Sequence, residues 1–155
     1  MNQFLVEIES EVDVDEQLAS QIMSAAVTAL ICEGVDEPVE LTVLLTSDER
    51  IRELNRQYSG EDKVTDVLSF PAGDPMPGAE CYIGDIVISV PTAVLQALTT
   101  GHSITNEMSL LTIHAILHLL GYDHADADGK RIMWSRQNKI LAKLGISPFE
   151  DSRLT

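Results

Sequence analysis

No lysine or arginine occurs among the first 49 residues, which carry twelve carboxylates. All ten basic residues fall in 50–155 beside thirteen acids, so the net charge of −15 divides into an acidic N-terminal third and a remainder of only −3. The chain as a whole therefore lacks the cationic character with which proteins usually meet nucleic-acid phosphates. The later part has room for a local cationic patch. The acidic run reads as a solvated face that aids solubility. Cysteine is scarce as well. Cys32 and Cys81 are too few for a disulfide framework, and neither has a cysteine or histidine at metal-ligand spacing. They read as free thiols in a reducing cytoplasm. No apolar run approaches the roughly eighteen residues of a membrane span, since the stretch from Ile22 to Cys32 is short and broken by Ser24 and Thr28. The acidic N-terminus is not the pattern of a secretory or mitochondrial signal. Internal repeats, low-complexity tracts and linkers are absent. With 155 residues this implies one domain spanning 1–155, large enough to bury about two thirds of its unfolded surface.

What is present alternates in period. Phe4 to Ile8 has the alternation of a strand. Asp15 is placed to cap a helix from Glu16 to Glu33, with Leu18, Ile22, Ala25, Ala26, Ala29 and Leu30 on its inner face and Gly34 as its stop. Val39 to Leu45 is β-branched and apolar, a second strand. Ser47 caps a short helix from Asp48 to Tyr58, with Ile51 and Leu54 facing inward. After a turn at Ser59–Asp62, Thr65 to Pro71 reads as a third strand. Ala72 to Ala79, rich in proline and glycine, reads as a surface loop. Cys81 to Val90 is a fourth strand, and Pro91 opens a helix to Thr100. Ser103 or Thr105 caps the next helix. Asp126 or Asp128 caps the last one, which runs to Leu144 with Ile132, Met133, Gln137, Ile140 and Leu144 inward and Trp134 at its edge. The tail after Pro148 is expected to fray. The layout is α+β: about four strands in a mixed sheet, packed with about five helices.

Chemistry concentrates in one stretch. Four histidines occur in the chain, and three of them fall between His114 and His124. His114 and His118, four apart, share one face of a helix. Leu110, Leu111, Ile113, Ile116, Leu117, Leu119 and Leu120 make that helix apolar nearly all round, so it is expected to be buried and central. Gly121 ends it, and the turn through Tyr122 and Asp123 returns His124 toward the other two imidazoles. A lone histidine on such a helix would be a core residue bonded to a carbonyl. Three converging ones make a metal site, and three protein ligands leave a fourth position for water, which marks a catalytic zinc. One zinc per chain is expected. The spacing is that of the metzincin peptidases, H-E-x-x-H-x-x-G-x-x-H, but their glutamate base is replaced by Ala115. His102 is not part of the group and reads as a loop residue.

Two further segments join this motif: Leu54-Asn55 with Asp62-Lys63-Val64-Thr65-Asp66-Val67-Leu68-Ser69-Phe70-Pro71, and Gly84-Asp85-Ile86-Val87-Ile88-Ser89. In this order the three segments closely resemble the bacterial YbeY endoribonuclease family, whose pattern is similar to H-G-x-L-H-L-x-G-Y-D-H preceded by T-D-V-L-S-F-P and G-D-I-x-I-S strands. The resemblance covers roughly Leu54 to Gly145. It implies a zinc held by His114, His118 and His124. It also implies an endoribonuclease acting on single-stranded RNA in ribosomal RNA maturation, late in small-subunit processing, and in ribosome quality control. The small ribosomal subunit is the implied partner, with no membrane, and the location is cytoplasmic; the charge of −15 separately suits basic ribosomal proteins as partners. The third strand would border the substrate cleft, with Lys63, Thr65, Asp66 and Ser69 as candidate substrate contacts. Glu107 stands where the family tends to have an acid. Ala115 replaces the usual glycine, Val64 the usual proline, and Ser59 an arginine that would be a natural phosphate clamp.

Asp85 and Asp123 are candidate acceptors that orient the ligands from behind. Two other readings stay open: a metzincin-like metallohydrolase of another substrate, and a non-catalytic, metal-stabilised assembly factor. The first is testable directly. Because Ala115 cannot take a proton, unstructured peptides should not be cleaved above background. Robust peptide cleavage that a chelator abolishes would restore the peptidase reading.

Overall fold

The computed structural model describes residues 4–74, 77–78 and 81–147. The expected fraying after Pro148 and part of the Ala72–Ala79 loop lie outside them. The elements are β1 (Phe4–Ser10), α1 (Glu16–Cys32), β2 (Val39–Thr46), α2 (Asp48–Ser59), β3 (Val67–Pro71), β4 (Tyr82–Ser89), α3 (Val90–Thr100), α4 (Ile104–Leu119) and α5 (Ala127–Lys143). The strands form one sheet in the order β1-β2-β4-β3. β1 and β4 run parallel to β2, and β3 pairs antiparallel with β4 at the edge. This is the mixed α+β sheet that the sequence implies.

Local chemistry places most of the boundaries. The Asp15 carboxylate accepts from Leu18 N at 2.8 Å, and Ser47 Oγ from Arg50 N at 3.2 Å. Each satisfies a helix-end N–H that has no partner within its own helix. Of the alternatives for the later caps, Ser103 accepts from Asn106 N and Asp126 from Gly129 N. Ser89, not foreseen, caps α3 through Thr92 N. β3 begins at Val67 rather than Thr65, because Asp66 Oδ1 takes the Val67 N–H at 2.8 Å and turns the chain into the strand.

β2 alternates buried and half-buried residues along most of its length, so the sheet has two unlike faces. Val6, Leu41, Val43, Leu45, Ile86 and Ile88 join the core cluster with Leu18, Ile22, Leu30, Leu110, Ile113 and Leu117 of α1 and α4. α4 is the centre of that core. Every residue from Glu107 to Leu117 is buried, and α4 touches α1, α3, α5, β3 and β4. The other face carries Thr42, Leu44, Asp85 and Val87, which share with α2 a groove of about 620 Å³. Ile51 is buried beneath α2, whereas Leu54 is only half-buried. On α5 the buried stripe is Met133, Gln137, Ile140 and Leu141. Ile132, expected inward, is 48% exposed. It precedes the stripe by one residue, about 100° round a helix. No described helix is long and apolar enough to cross a membrane.

Gly84 ties β3, β4 and α4 together. A Cβ there would stand 2.4 Å from the Phe70 carbonyl oxygen, 2.8 Å from Leu119 Cδ2 and 3.1 Å from Pro71 Cα, at a φ of +149°. Two of those three atoms are backbone and cannot swing aside. Gly84→Ala should therefore cost about 2–4 kcal/mol, read as a lowered urea midpoint at unchanged m-value. A variant as stable as wild type would show that the strand–helix approach is not fixed there.

Candidate metal centre

His114 and His118 lie one turn apart in the last two turns of α4, and His124 follows the helix end. Gly121, at a φ of +103°, supplies the left-handed step that reverses the chain. Tyr122 N then bonds back to Leu117 O at 3.0 Å, closing the turn in the manner of a Schellman cap. The turn is clamped from outside. The Tyr122 hydroxyl donates to Glu33 Oε1 at 2.6 Å, and Arg136 Nε donates to Glu33 Oε2 at 2.8 Å. The Glu33 carboxylate raises the Tyr122 hydroxyl above its ordinary pKa, chiefly through that hydrogen bond. α1, α5 and the ligand loop are thus joined by one buried carboxylate.

The three imidazoles converge. Ring centroids are 4.6 Å apart for His114 and His118, 5.0 Å for His118 and His124, and 5.4 Å for His114 and His124. One ligand nitrogen from each lies within 4.8 Å of the others. His118 Nδ1 stands 3.0 Å from the Tyr122 carbonyl oxygen, which can only accept, so Nδ1 carries the proton. His114 Nδ1 donates to Gln137 Oε1 at 3.1 Å. Both Nε2 atoms are left as lone pairs, 3.1 Å apart. Two such lone pairs repel unless a cation lies between them. Nitrogens bound tetrahedrally to zinc at roughly 2.0–2.1 Å stand about 3.3 Å apart, so the donor set and its spacing fit a zinc ion. Burial, with the neighbouring His124 second, holds the His118 pKa below its ordinary value, which favours the neutral form that a metal needs.

The triad opens into a cleft of about 430 Å³ bordered by Thr65, Asp66, Val67, Leu68 and Ser69. Thr65, Asp66 and Ser69 line this cleft together with the histidines. Ser69 Oγ donates to the Ala115 carbonyl at 3.4 Å, tying β3 to α4. Lys63 is not brought there. Its ammonium lies 3.6 Å from Glu61 on the surface, because Asn55 Nδ2 holds the Lys63 carbonyl at 3.1 Å and fixes the turn ahead of the cleft. Ser59 lines the groove on the other side of β3.

Neither carboxylate proposed to orient a ligand does so. Asp85 sits between Gly84 and Ile86, which face α4, and so points to the opposite face. There its carboxylate accepts the Tyr82 hydroxyl, and burial together with that bond pushes the Tyr82 pKa up to about 12. Asp123 Oδ1 accepts from His124 N at 2.7 Å, a turn-capping role. The orienting groups are Gln137 and the Tyr122 carbonyl. Helical periodicity alone puts Gln137 on the inner face of α5 and gives it no role beyond packing. A polar side chain on an apolar stripe was the available signal.

A histidine triad fit to hold a metal, opening on an antiparallel edge strand of a four-stranded α+β sheet, defines the class. A sequence model described as endoribonuclease YbeY matches residues 5–145, and the chain belongs to that family. It is 42% identical over 145 residues to endoribonuclease YbeY of Desulforamulus reducens, covering 90% of this chain and 95% of that one. The Moorella thermoacetica protein of the same name is also 42% identical, over 146 residues, with 89% and 94% covered. The solution structure of TM1509 from Thermotoga maritima is similar, with a TM-score of 0.62, 27% identity and 96% and 97% coverage.

If Gln137 fixes the His114 tautomer, Gln137→Leu should weaken zinc binding about 10- to 100-fold in a chelator competition while the fold is kept. Unchanged affinity in a folded variant would mean that Gln137 only fills space.

Proposed function

We propose that this protein is a zinc-dependent endoribonuclease of single-stranded RNA. The observation that carries the reading is the convergence of His114, His118 and His124, with two tautomers set by their partners, beside the β3 cleft in a chain of the YbeY family. When bound, zinc supplies a Lewis acid that polarises a phosphoryl oxygen. The protein's own part is positioning. α4 buries His114 and so keeps bulk water from one side of the site. Thr65 and Ser69 offer neutral hydroxyls to a strand lying in the cleft. Its lining includes no lysine or arginine among the described residues, so β3 can orient a phosphate without neutralising it. Asp66 is held by Val67 N and Thr65 Oγ1, which fixes a carboxylate at the cleft edge as an acceptor for a sugar or water hydroxyl.

The substrate class follows from the family. Maturation of small-subunit ribosomal RNA, with a part in ribosome quality control, is the proposed setting, and a cytoplasmic location goes with it. The acidic N-terminal third suits basic ribosomal proteins as partners.

Protein purified without a tag or added metal should hold one zinc per chain and cleave single-stranded RNA, and His118→Ala should lose both. A full equivalent of metal in all three histidine-to-alanine variants would remove the site. Metal bound normally with no cleavage would favour the assembly-factor reading. The ends of the products bear on the nucleophile: a 2′,3′-cyclic phosphate implicates the RNA 2′-hydroxyl.

A further inference from the structure

The triad has a second opening. His124 lines the β3 cleft and also a larger groove of about 860 Å³ along α5, walled by Lys130, Arg131, Trp134 and Asn138. A void of about 10 Å³ touching His114, His124, Lys130, Trp134 and Gln137 lies between the triad and the groove. The two openings differ in chemistry. The β3 cleft is lined by hydroxyls, a carboxylate and apolar side chains, whereas the α5 groove has two cations and an indole. Arg131 lies 3.2 Å from Asp128. Lys130 makes no ion pair among the described residues. The Asp126 carboxylate, also on the groove wall, is engaged by Gly129 N at 2.6 Å. Asn138 contributes a buried carboxamide oxygen with no hydrogen-bond partner. A buried acceptor without a donor is costly unless a ligand supplies one.

A cation, an aromatic surface and an orphan acceptor, adjoining a site that would cut RNA, match the parts of one nucleotide. The base stacks on the indole, the phosphate meets the ammonium, and the Asn138 carboxamide, once rotated toward the groove, offers its oxygen to a base-edge N–H. We propose that the α5 groove binds the nucleotide on one side of the scissile phosphate, with its base on Trp134 and its phosphate at Lys130. This rests on the nuclease reading and deepens it: the strand crosses the triad with one neighbour in the β3 cleft and the other along α5.

Trp134 is the only tryptophan in the chain, so it reports on itself. A single-stranded octaribonucleotide mixed with the zinc-loaded protein in stopped flow should quench the indole emission saturably, before products accumulate. In polarisation assays with a labelled octamer, Trp134→Leu should bind roughly 5- to 150-fold more weakly, with Trp134→Phe recovering most of the loss. Lys130→Gln should make the salt dependence of log K shallower by about 0.7. Zinc content is measured first in each variant. If Trp134→Leu loses zinc, Trp134→Phe and the surface variant Lys130→Gln carry the test. Metal-dependent cleavage with unquenched emission, and Lys130→Gln showing an unchanged salt slope, would overturn the groove and leave the nuclease reading standing. Absence of both binding and cleavage would remove the two together.

Discussion

The structure depends on the burial of one helix. α4 is apolar nearly all round and is covered by the sheet, α1, α3 and α5, as such a helix must be in water. Yet it carries two imidazoles, whose ring nitrogens cannot be left unpaired inside. Each Nδ1 finds an acceptor from an element that covers the helix end: Gln137 of α5 for His114, and the Tyr122 carbonyl of the turn for His118. The same bonds that satisfy burial also expose the two Nε2 lone pairs to each other. Core packing and metal-site geometry are therefore one arrangement, and the fold needs no separate device to orient the ligands.

Position along the sheet decides what the site can meet. β3 is the edge strand, and its antiparallel pairing with β4 sets Ser69 against Ile86 and Phe70 against Asp85. Ser69 thus reaches α4 at the triad while Asp85 turns to the far face. One short strand separates two grooves of different character, one holding histidines and hydroxyls, the other holding Thr42, Asp85, Tyr58 and Arg50. Cations border the triad's opening along α5 rather than the cleft beside β3, because α5 packs across the end of α4.

Much of this is local and was legible in the sequence. The i, i+4 histidines, the terminating Gly121, the caps at Asp15 and Ser47 and the alternation of the strands each depend on neighbours within a few residues. What was not legible is set by contacts between distant segments. The Glu33 carboxylate that holds Tyr122 and Arg136 joins residues about ninety and a hundred positions apart, and no periodicity announces it. Lys63 stands just before the Thr65 strand in sequence, but the buried Asn55 holds its backbone and leaves the side chain pointing to solvent. Asp85 is a different case. Ile86 and Ile88 already mark the core face of β4, and strict alternation puts Asp85 on the other. The signal was there, and proximity in sequence to a motif outweighed it.

The departure from the metzincin pattern has the same physical origin. In those peptidases the residue after the first histidine is a glutamate that works at the metal. Here Ala115 is fully buried within the core cluster, and its carbonyl takes the Ser69 hydroxyl. A glutamate at 115 would have to place its carboxylate among apolar side chains, where an unpaired charge costs several kcal/mol or is neutralised by a raised pKa. The close seat of α4 on β3 that builds the cleft is what excludes a base at this position. Any proton acceptor must therefore come from the walls of the two openings or from the substrate itself. The β3 cleft offers the Asp66 carboxylate, held at its edge by its own strand, and an RNA strand brings a 2′-hydroxyl that a peptide lacks. The histidine spacing is shared with the peptidases, but the packing beneath it admits a different reaction.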